Sequence, residues 1–148
     1  LVGSEMCIRD RNNDFDRNFL RNEIIPSLEK RWSKLPERAA LTSLTAKKKK
    51  LSLDFMLEKN FKKEISTGII ERAKFIETPS FLIEELIRLI LRKKGIALPS
   101  QKVLSEIMNV FFHKKPSNES YVEWSRKDGE QIGGKVFSEH NDIILKKK

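Results

Sequence analysis

Residues 78–95 read Thr-Pro-Ser-Phe-Leu-Ile-Glu-Glu-Leu-Ile-Arg-Leu-Ile-Leu-Arg-Lys-Lys-Gly, and this stretch predicts the most clearly delimited helix of the chain. Thr78 can cap its start, Pro79 fits its first position and Gly95 fits its end. Two interleaved sets of apolar residues recur along it at helical spacing: Leu82, Leu86 and Leu89, and Ile83, Ile87 and Ile90. Because these sets occupy more than one face, we expect the helix to be buried.

Helical patterns continue on both sides of this stretch. After it, Ser100 is suited to cap a further helix. The apolar face of that helix is formed by Leu104, Ile107, Met108 and Phe111. Before it, Pro36 suits the first turn of a long helix that carries the basic run at residues 47–50 on a solvated face. Its apolar face is formed by Ala40, Leu44, Leu51 and Phe55. The first helical block covers residues 15–32, where Pro26 predicts a kink or a restart.

The pattern changes after Pro116, where short segments rich in β-branched and aromatic residues predict strands. The predicted strands lie at residues 121–124, 132–137 and 143–145, and the turn signals between them lie at residues 127–129 and 141–142. Ile69 and Ile70, after a turn at Thr67-Gly68, are compatible with one more short strand. We therefore predict a mainly α chain with a small C-terminal antiparallel β hairpin or meander, an α+β fold.

The chain of 148 residues is strongly basic, because 30 Lys and Arg against 21 Asp and Glu give a net charge of +9. A field of this size favours an anionic partner; nucleic acid is the commonest and an anionic membrane surface the next. The alternative is a lysine-rich coding bias without functional meaning. No apolar run reaches the roughly 18 residues of a membrane span, so no part of the chain is expected to cross a membrane. Of the two anionic partners we expect nucleic acid, and no membrane.

Residues that carry chemistry are few. A single cysteine, Cys7, cannot form an internal disulfide, and His113 and His140 have no partners at metal-ligand spacing. We therefore predict no metal site and a cytoplasmic location. The sequence has no glycine-rich phosphate loop, no Ser-Gly-Gly-x-Asp-Ser string and no Ser/His/Asp set. Glu84 and Glu85 point in different directions on a helix, so no catalytic residue is predicted within the chain.

Residues 1–11 have neither helical nor strand periodicity, and they resemble the translation of a sequencing-library adapter. Their apolar stretch is too short and too interrupted for a signal peptide. We expect these residues to be an artefact, with the natural gene cut upstream of Asn12. Their charges cancel, so the remaining residues keep the net charge of +9.

A specific string, Phe-Asp-Arg-Asn-Phe-Leu-Arg-Asn-Glu-Ile-Ile-Pro-Ser-Leu, lies at residues 15–28 and is followed by Arg31-Trp32. It resembles the segment that closes the catalytic domain of tRNA(Ile)-lysidine synthetases. The residues on motif positions are Arg17, Asn18, Arg21 and Pro26. A second match, Leu98-Pro99-Ser100 before Val122-Glu123-Trp124 and a glycine-containing hairpin, resembles the middle, substrate-binding domain of that family. The resemblance implies the end of a catalytic domain at residues 12–35 and a helical tRNA-binding domain at residues 36–148.

The resemblance also implies an activity for the full-length protein. Enzymes of this family use ATP, with magnesium, to adenylate the wobble cytidine of an isoleucine tRNA with a CAU anticodon. The amine of free L-lysine then displaces AMP and gives lysidine. In the family the ATP-binding loop lies upstream of the matched segment and a further domain lies downstream. The chain by itself is therefore expected to position tRNA(Ile), to bind no cofactor and to be inactive. Whether the full-length ligase forms a homodimer stays open.

The candidates for contacting tRNA or supporting the active site are Arg17, Asn18, Arg21, Arg88, Lys93, Lys94, Lys114, Lys115, Arg126 and Lys127. Arg17 and Arg21, four apart, can share a helix face and contact phosphate or shape the ATP site; alternatively they brace the catalytic domain through buried salt bridges. For Asn18 a structural hydrogen bond is favoured, and for Arg88 an internal ion pair. The basic pairs at element ends are each typical of a solvated surface, but together they can attract tRNA in a salt-dependent manner.

Trp124 and Phe137 can stack on bases, but packing of a hairpin face against helices is the favoured interpretation. Two other functions stay open: a free-standing basic RNA-binding adaptor, and a structural helical module whose charge is only compositional. A coding sequence for Ser-Gly-Gly-x-Asp-Ser in frame upstream of Asn12 would support the ligase. Binding of tRNA at rising salt separates the RNA-binding functions from the structural one.

Overall fold

A computed structural model of the protein describes residues 13–117, 119–125 and 132–148. The adapter interpretation of residues 1–11 and the predicted turn at residues 127–129 lie outside these residues. The described helices are α1 (Asp16–Phe19), α2 (Ile25–Arg31), α3 (Leu35–Asn60), α4 (Lys62–Thr67), α5 (Ser80–Lys93) and α6 (Gln101–Met108). The described strands are β1 (Ile69–Glu71), β2 (Tyr121–Trp124), β3 (Gly134–Glu139) and β4 (Asp142–Lys147). The predicted fold class, mainly α with a small antiparallel meander, is confirmed.

The chain divides into two compact units, one ending at Leu51 and the other beginning at Ser52. The division falls within α3, which is helical on both sides of it. The sequence predicted a boundary between a catalytic and a tRNA-binding domain at residues 35 and 36, which lie at the start of α3. This functional boundary stays a prediction. No described helix combines the length and the apolar character that crossing a membrane requires.

The first unit contains α1, α2 and the first part of α3. A π-helical turn, Leu20–Ile24, joins α1 to α2, and the Ile25 amide donates to the carbonyl five residues before it. A wide turn suits this position because Pro26 has no amide to give to a helix. Pro26 lies in the first turn of α2, and the backbone stays helical at Ile24 and Ile25, so the change predicted near Pro26 is a π-helical turn rather than a break between helices. Among the described residues up to Leu51, Asn18 alone is buried.

The second unit holds the hydrophobic core, to which α5 contributes most. Its buried side chains are Ile83, Leu86, Ile87, Leu89, Ile90 and Leu91, which confirms that more than one face is covered. α6 and the π-helical turn after it, Asn109–His113, add Leu104, Ile107, Met108 and Phe111. Ser100 caps α6 as predicted, since its hydroxyl accepts a hydrogen bond from the Val103 amide at 3.3 Å.

The strands form one antiparallel sheet in the order β1-β4-β3-β2. Its inward side chains join the core cluster of α5 and α6: Ile70, Val122, Trp124, Val136, Ile143 and Leu145. β3 and β4 are connected at His140 and Asn141, with φ of 49° and 70°. Positive φ at both positions is the geometry that a two-residue hairpin needs. The turn therefore lies one residue earlier than predicted, because Asp142 pairs with Glu139 as the first residue of β4.

Two further boundaries differ from the predictions. Thr78 does not cap α5, because Pro79 is the N-cap residue, with an extended ψ of 134°, and its carbonyl accepts from the Leu82 amide at 2.9 Å. Ile132 lies outside β3 and forms an isolated parallel bridge with Ile96. At the other end of α5, Gly95 has a φ of 64°, which confirms it as the residue that ends the helix.

Candidate functional site

The two arginines of the matched string are both exposed. Arg17 lies in α1 and Arg21 in the π-helical turn that follows it. Solvent-facing guanidinium groups separated by about one helical turn can contact neighbouring phosphates of one RNA strand. The position is therefore compatible with the anion contact, one of the two alternatives that the sequence left open for this pair.

Polar residues near the start of the string hydrogen-bond to one another. The Asn22 amide group donates to Asn13 Oδ1 at 3.0 Å, and the Asn13 amide group donates to Glu23 Oε1 at 3.2 Å. Asn18 is only 8% exposed, and its backbone amide donates to the Phe15 carbonyl at 2.8 Å. Burial of Asn18 agrees with a structural role rather than with a ligand contact.

Each of the two units contains a basic cleft, and the two clefts have similar volumes. The cleft of the first unit, about 530 Å³, is lined by Arg31, Trp32, Ser33, Lys34, Leu35 and Arg38. The guanidinium of Arg31 lies 5.4 Å from the centre of the Trp32 ring, a cation–π arrangement. The cleft of the second unit, about 560 Å³, is lined by Phe55, Glu58, Lys59, Lys62, Ile65, Ser66 and Lys93.

Arg88 is held by its own domain. Its guanidinium lies 2.8 Å from Glu85 Oε1 and donates to Gln101 Oε1 at 2.7 Å, and Glu84 Oε2 lies 3.8 Å away. The side chain is half-buried between α5 and the start of α6. The geometry agrees with the internal ion pair that the sequence favoured, and the adjacent carboxylates Glu84 and Glu85 act as partners of this arginine.

Lys93 and Lys94 are adjacent in sequence but differ in what they contact. Lys93 forms an ion pair with Glu58 at 2.8 Å. Lys94 is half-buried, and its Nζ donates to the carbonyls of Thr67 at 2.9 Å and Ser66 at 3.3 Å. Lys94 therefore satisfies the carbonyls at the end of α4, where a helix leaves such groups without partners of its own.

The last candidates lie beside and beyond the π-helical turn that follows α6. Lys114 and Lys115 are exposed. Next to them, a residue that the sequence did not single out, Arg72, donates to the carbonyls of Phe111 at 2.9 Å and Lys114 at 3.3 Å. Two candidates, Arg126 and Lys127, lie outside the described residues.

Trp124 and Phe137 lie on opposite faces of the sheet. Trp124 is buried, and its indole N–H donates to the Ala97 carbonyl at 2.6 Å, which confirms the predicted packing. A Cβ at Gly134, opposite Trp124 on β3, would lie 2.7 Å from indole Cη2, so the ring requires glycine there. For Phe137 the packing interpretation was wrong, because it alternates with the buried Val136 and its half-buried ring faces outward.

Three outward residues of the sheet were not among the predicted candidates: Tyr121, Lys135 and Lys146. The alternation of apolar and polar residues along β2, β3 and β4 carries the signal that could have found them. Within the described ranges, no group of three or more His, Cys, Asp or Glu side chains is arranged to hold a metal ion.

No protein-family model matches the chain, but curated relatives do. It is 33% identical over 113 residues to the tRNA(Ile)-lysidine synthase of Buchnera aphidicola subsp. Acyrthosiphon pisum, which covers 75% of this chain and 26% of that protein. It is 24% identical over 139 residues to the Haemophilus influenzae protein of that name, covering 91% and 30% respectively. For the protein of that name from Actinobacillus pleuropneumoniae the identity is 31% over 108 residues, covering 68% and 25%.

The chain thus spans between about a quarter and three tenths of the length of the curated relatives that it matches. The similarity covers between 68% and 91% of the chain. The chain belongs to the tRNA(Ile)-lysidine synthase family.

Proposed function

We propose that the chain is the tRNA-positioning part of an ATP-dependent ligase that attaches lysine to the wobble cytidine of tRNA(Ile) with a CAU anticodon. The observation that carries this proposal is the similarity to proteins named tRNA(Ile)-lysidine synthase over 108 to 139 residues. The net charge of +9 supports it, because a polyanionic substrate is attracted to a basic protein surface.

In this proposal the chemistry and the RNA contacts belong to different parts of the enzyme. Residues 12–35 end the catalytic domain, and residues 36–148 bind tRNA. ATP, magnesium and free L-lysine bind to the remainder of the catalytic domain, in a cytoplasmic enzyme. The exposed apolar side chains of α1 and α2 support this division, because a surface of that kind is suited to contact with another part of the protein.

The candidate cations differ in how available they are for RNA. Arg17, Arg21, Lys114 and Lys115 are exposed, so we propose these as phosphate contacts. Lys93 is exposed as well, but its charge is partly offset by the ion pair with Glu58. Arg88 and Lys94 are proposed as structural residues, because each is occupied by oxygen atoms of the protein.

The proposal is tested by fluorescence anisotropy with labelled tRNA(Ile) carrying the CAU anticodon, over 50 to 200 mM salt. A few phosphate contacts predict an affinity that falls by roughly 10- to 100-fold across this range. The double variant Lys114→Gln/Lys115→Gln is expected to reduce the salt slope by about two. The matched Lys93→Gln variant is expected to reduce it by less, because that lysine is already paired.

Two outcomes would contradict the proposal in different ways. If tRNA does not bind at 50 mM salt, the chain is a structural module whose charge is compositional. If it binds every RNA equally well and its gene carries no ATP-binding motif upstream of Asn12, the free-standing RNA-binding adaptor is the better description.

A further inference from the structure

The outer face of the sheet, opposite the hydrophobic core, carries a continuous row of apolar side chains. The strand register pairs Ile69 with Ile144, Ile144 with Phe137 and Phe137 with Tyr121. The row therefore crosses all four strands in the order β1-β4-β3-β2. Tyr121 is 58% exposed, so the row ends in an open aromatic ring at the edge of the sheet.

Two lysines stand over the aromatic rings of this row. Lys135 and Lys146 are directly paired neighbours on β3 and β4. Lys135 Nζ lies 4.3 Å from the centre of the Tyr121 ring, and Lys146 Nζ lies 4.6 Å from that of Phe137. A shallow cleft of about 260 Å³ is lined by these four residues together with Glu119 and Ser120.

The cation–π contacts stabilise each lysine over its ring, but the arrangement also carries a cost for the fold. Like charges directly opposite each other on neighbouring strands destabilise a sheet, as Lys135 and Lys146 do here. The core lies against the other face, and the carboxylate across from Lys135, that of Glu123, is bound by Lys148 at 3.0 Å. A pair of lysines beside one exposed and one half-buried aromatic ring points to an anionic ligand with a flat, stackable surface.

We propose that this sheet face binds an unpaired nucleotide of an RNA strand. Its base stacks on the rings of Tyr121 and Phe137, and Lys135 and Lys146 contact the flanking phosphates. Aromatic side chains on an open sheet with adjacent cations are the means by which proteins hold single-stranded RNA. The proposal rests on the proposed function and deepens it, because it assigns single-stranded nucleotides rather than duplex to this surface.

The lysines have a second position available once a base is bound. Without RNA, each ammonium group lies over a ring face that a base would occupy. A stacked base displaces both ammonium groups from the rings, and their flexible stems allow them to reach the phosphates on either side. A neutral protein partner would instead leave two lysines facing an apolar surface, which costs desolvation without compensation.

The test uses the full chain and a fluorescein-labelled single-stranded octaribonucleotide, with the same sequence in a duplex and an abasic strand as comparisons. Tyr121→Leu keeps an apolar side chain but removes the ring, and we expect it to weaken single-strand binding about tenfold. Tyr121→Phe keeps the ring and should bind within about twofold of the wild type. Phe81→Leu alters another exposed aromatic, on α5, and should leave binding unchanged.

The lysines have a matched test. Lys135→Gln/Lys146→Gln is expected to weaken binding and to reduce the salt slope by about 1.5. Lys102→Gln, at an exposed position on α6, should change neither. Titration of wild-type protein labelled at isoleucine methyl groups gives a readout without a variant: Ile69 and Ile144 should shift on adding the single strand, and Ile87 in the core should not.

The outcomes separate this proposal from the proposed function. If tRNA(Ile) binds in a salt-dependent manner but Tyr121→Leu binds the single strand as the wild type does and the methyl groups do not shift, the stacking proposal is overturned and the tRNA function stands. If the single strand binds through Tyr121 while tRNA(Ile) does not bind, the stacking proposal stands and the proposed tRNA function is overturned. Equal binding of the abasic strand would also overturn base stacking.

Discussion

The nearest oxygen atoms decide what a basic side chain does. Lys93 and Lys94 are chemically identical neighbours, yet the first pairs with Glu58 and the second donates to the carbonyls of Ser66 and Thr67. Carbonyls in the last turn of a helix have no helical partner and carry partial negative charge, so an ammonium group is favoured there. Lys93 therefore connects α5 to α3, and Lys94 caps the end of α4.

Two glycines with left-handed backbone in the described part of the chain, Gly68 and Gly95, make a matched pair for substitution. A Cβ on Gly68, with φ 78°, would lie 2.9 Å from the Leu145 carbonyl oxygen, whereas one on Gly95, with φ 64°, would meet nothing within 4 Å. We predict that Gly95→Ala lowers the free energy of unfolding by about 1–2 kcal/mol through backbone strain alone. Gly68→Ala should lower it by about 1–3 kcal/mol more, through crowding. Urea denaturation of both variants measures the difference, and equal losses would contradict the crowding.

Glu71, at the end of β1, is bound by two lysines. Its carboxylate oxygens lie 2.5 Å from Lys63 Nζ and 2.6 Å from Lys74 Nζ. The hydrogen bond from Lys63, followed by that from Lys74, lowers the pKa of Glu71 from 4.5 to about 2, and the Glu71 contact raises the pKa of Lys63. Because the pKa in the folded state is the lower one, the stabilisation is present above about pH 4.5 and is lost as the pH falls towards 2.

We therefore predict that Glu71→Gln lowers the melting temperature at neutral pH and that this difference shrinks as the pH falls towards 2. Glu77→Gln, at an exposed position nearby, is the control and should change little at either pH. The pKa itself is measured by following the Glu71 carboxyl carbon in an NMR titration. A midpoint near the ordinary value of 4.5 would rule out the double lysine contact in solution.

At the scale of single elements, an apolar stripe identifies a helix and its contact face, but it does not identify what covers that face. α1, α2 and the start of α3 carry stripes whose members are largely exposed: Phe15, Phe19, Leu20, Ile25, Trp32, Leu41 and Leu44. α5 instead carries apolar residues on more than one face, and these are buried in the core. Helices without a covered face derive little stability from tertiary packing.

We predict fast amide exchange in α1, the π-helical turn and α2, and slow exchange in α5. The reason is that opening of an element without buried apolar contacts costs little free energy, whereas opening of α5 exposes the core. Hydrogen–deuterium exchange followed by mass spectrometry resolves the two regions within one sample. Protection of residues 16–31 equal to that of α5 would show that these helices are stable without a covering surface.

At the scale of the whole molecule, stability is distributed unevenly between the two units. Every buried hydrophobic residue that the structure describes lies in the second unit, from Leu57 onward. Hydrophobic burial is the dominant favourable term in folding, so the second unit has the means to unfold cooperatively and the first does not.

The two tryptophans allow the unfolding of each unit to be followed, because Trp32 lies in the first unit and Trp124 in the core of the second. In a Trp32→Phe variant, we predict a sharp thermal transition by Trp124 fluorescence. Far-UV circular dichroism should begin to lose helix signal at lower temperature. Coincident transitions by both probes would mean that the chain unfolds as a single cooperative unit.

The sequence predicted those features of the fold that are determined by residues close to one another in the chain. Pro26 marked the π-helical turn, and Gly95 and Ser100 marked helix boundaries correctly, because missing amides, positive φ and side-chain caps act within a few residues. The errors at Thr78 and Asn141 are shifts of one residue, where neighbouring residues can serve the same turn. For the candidate site, the sequence supplied the basic character, the family motif and the internal ion pair of Arg88, but it did not distinguish the occupied Lys94 from the exposed lysines.

The amino-acid order alone indicated most of the helices and strands, the excess of positive charge and the relationship to lysidine synthases, because each is encoded by near neighbours or by simple composition. Tertiary structure decided that Lys94 is held by the protein and that Tyr121, Phe137, Lys135 and Lys146 share one open face. The physical reason is that strand register and ion pairing join residues far apart in the chain, and their partners are chosen only when the whole core packs.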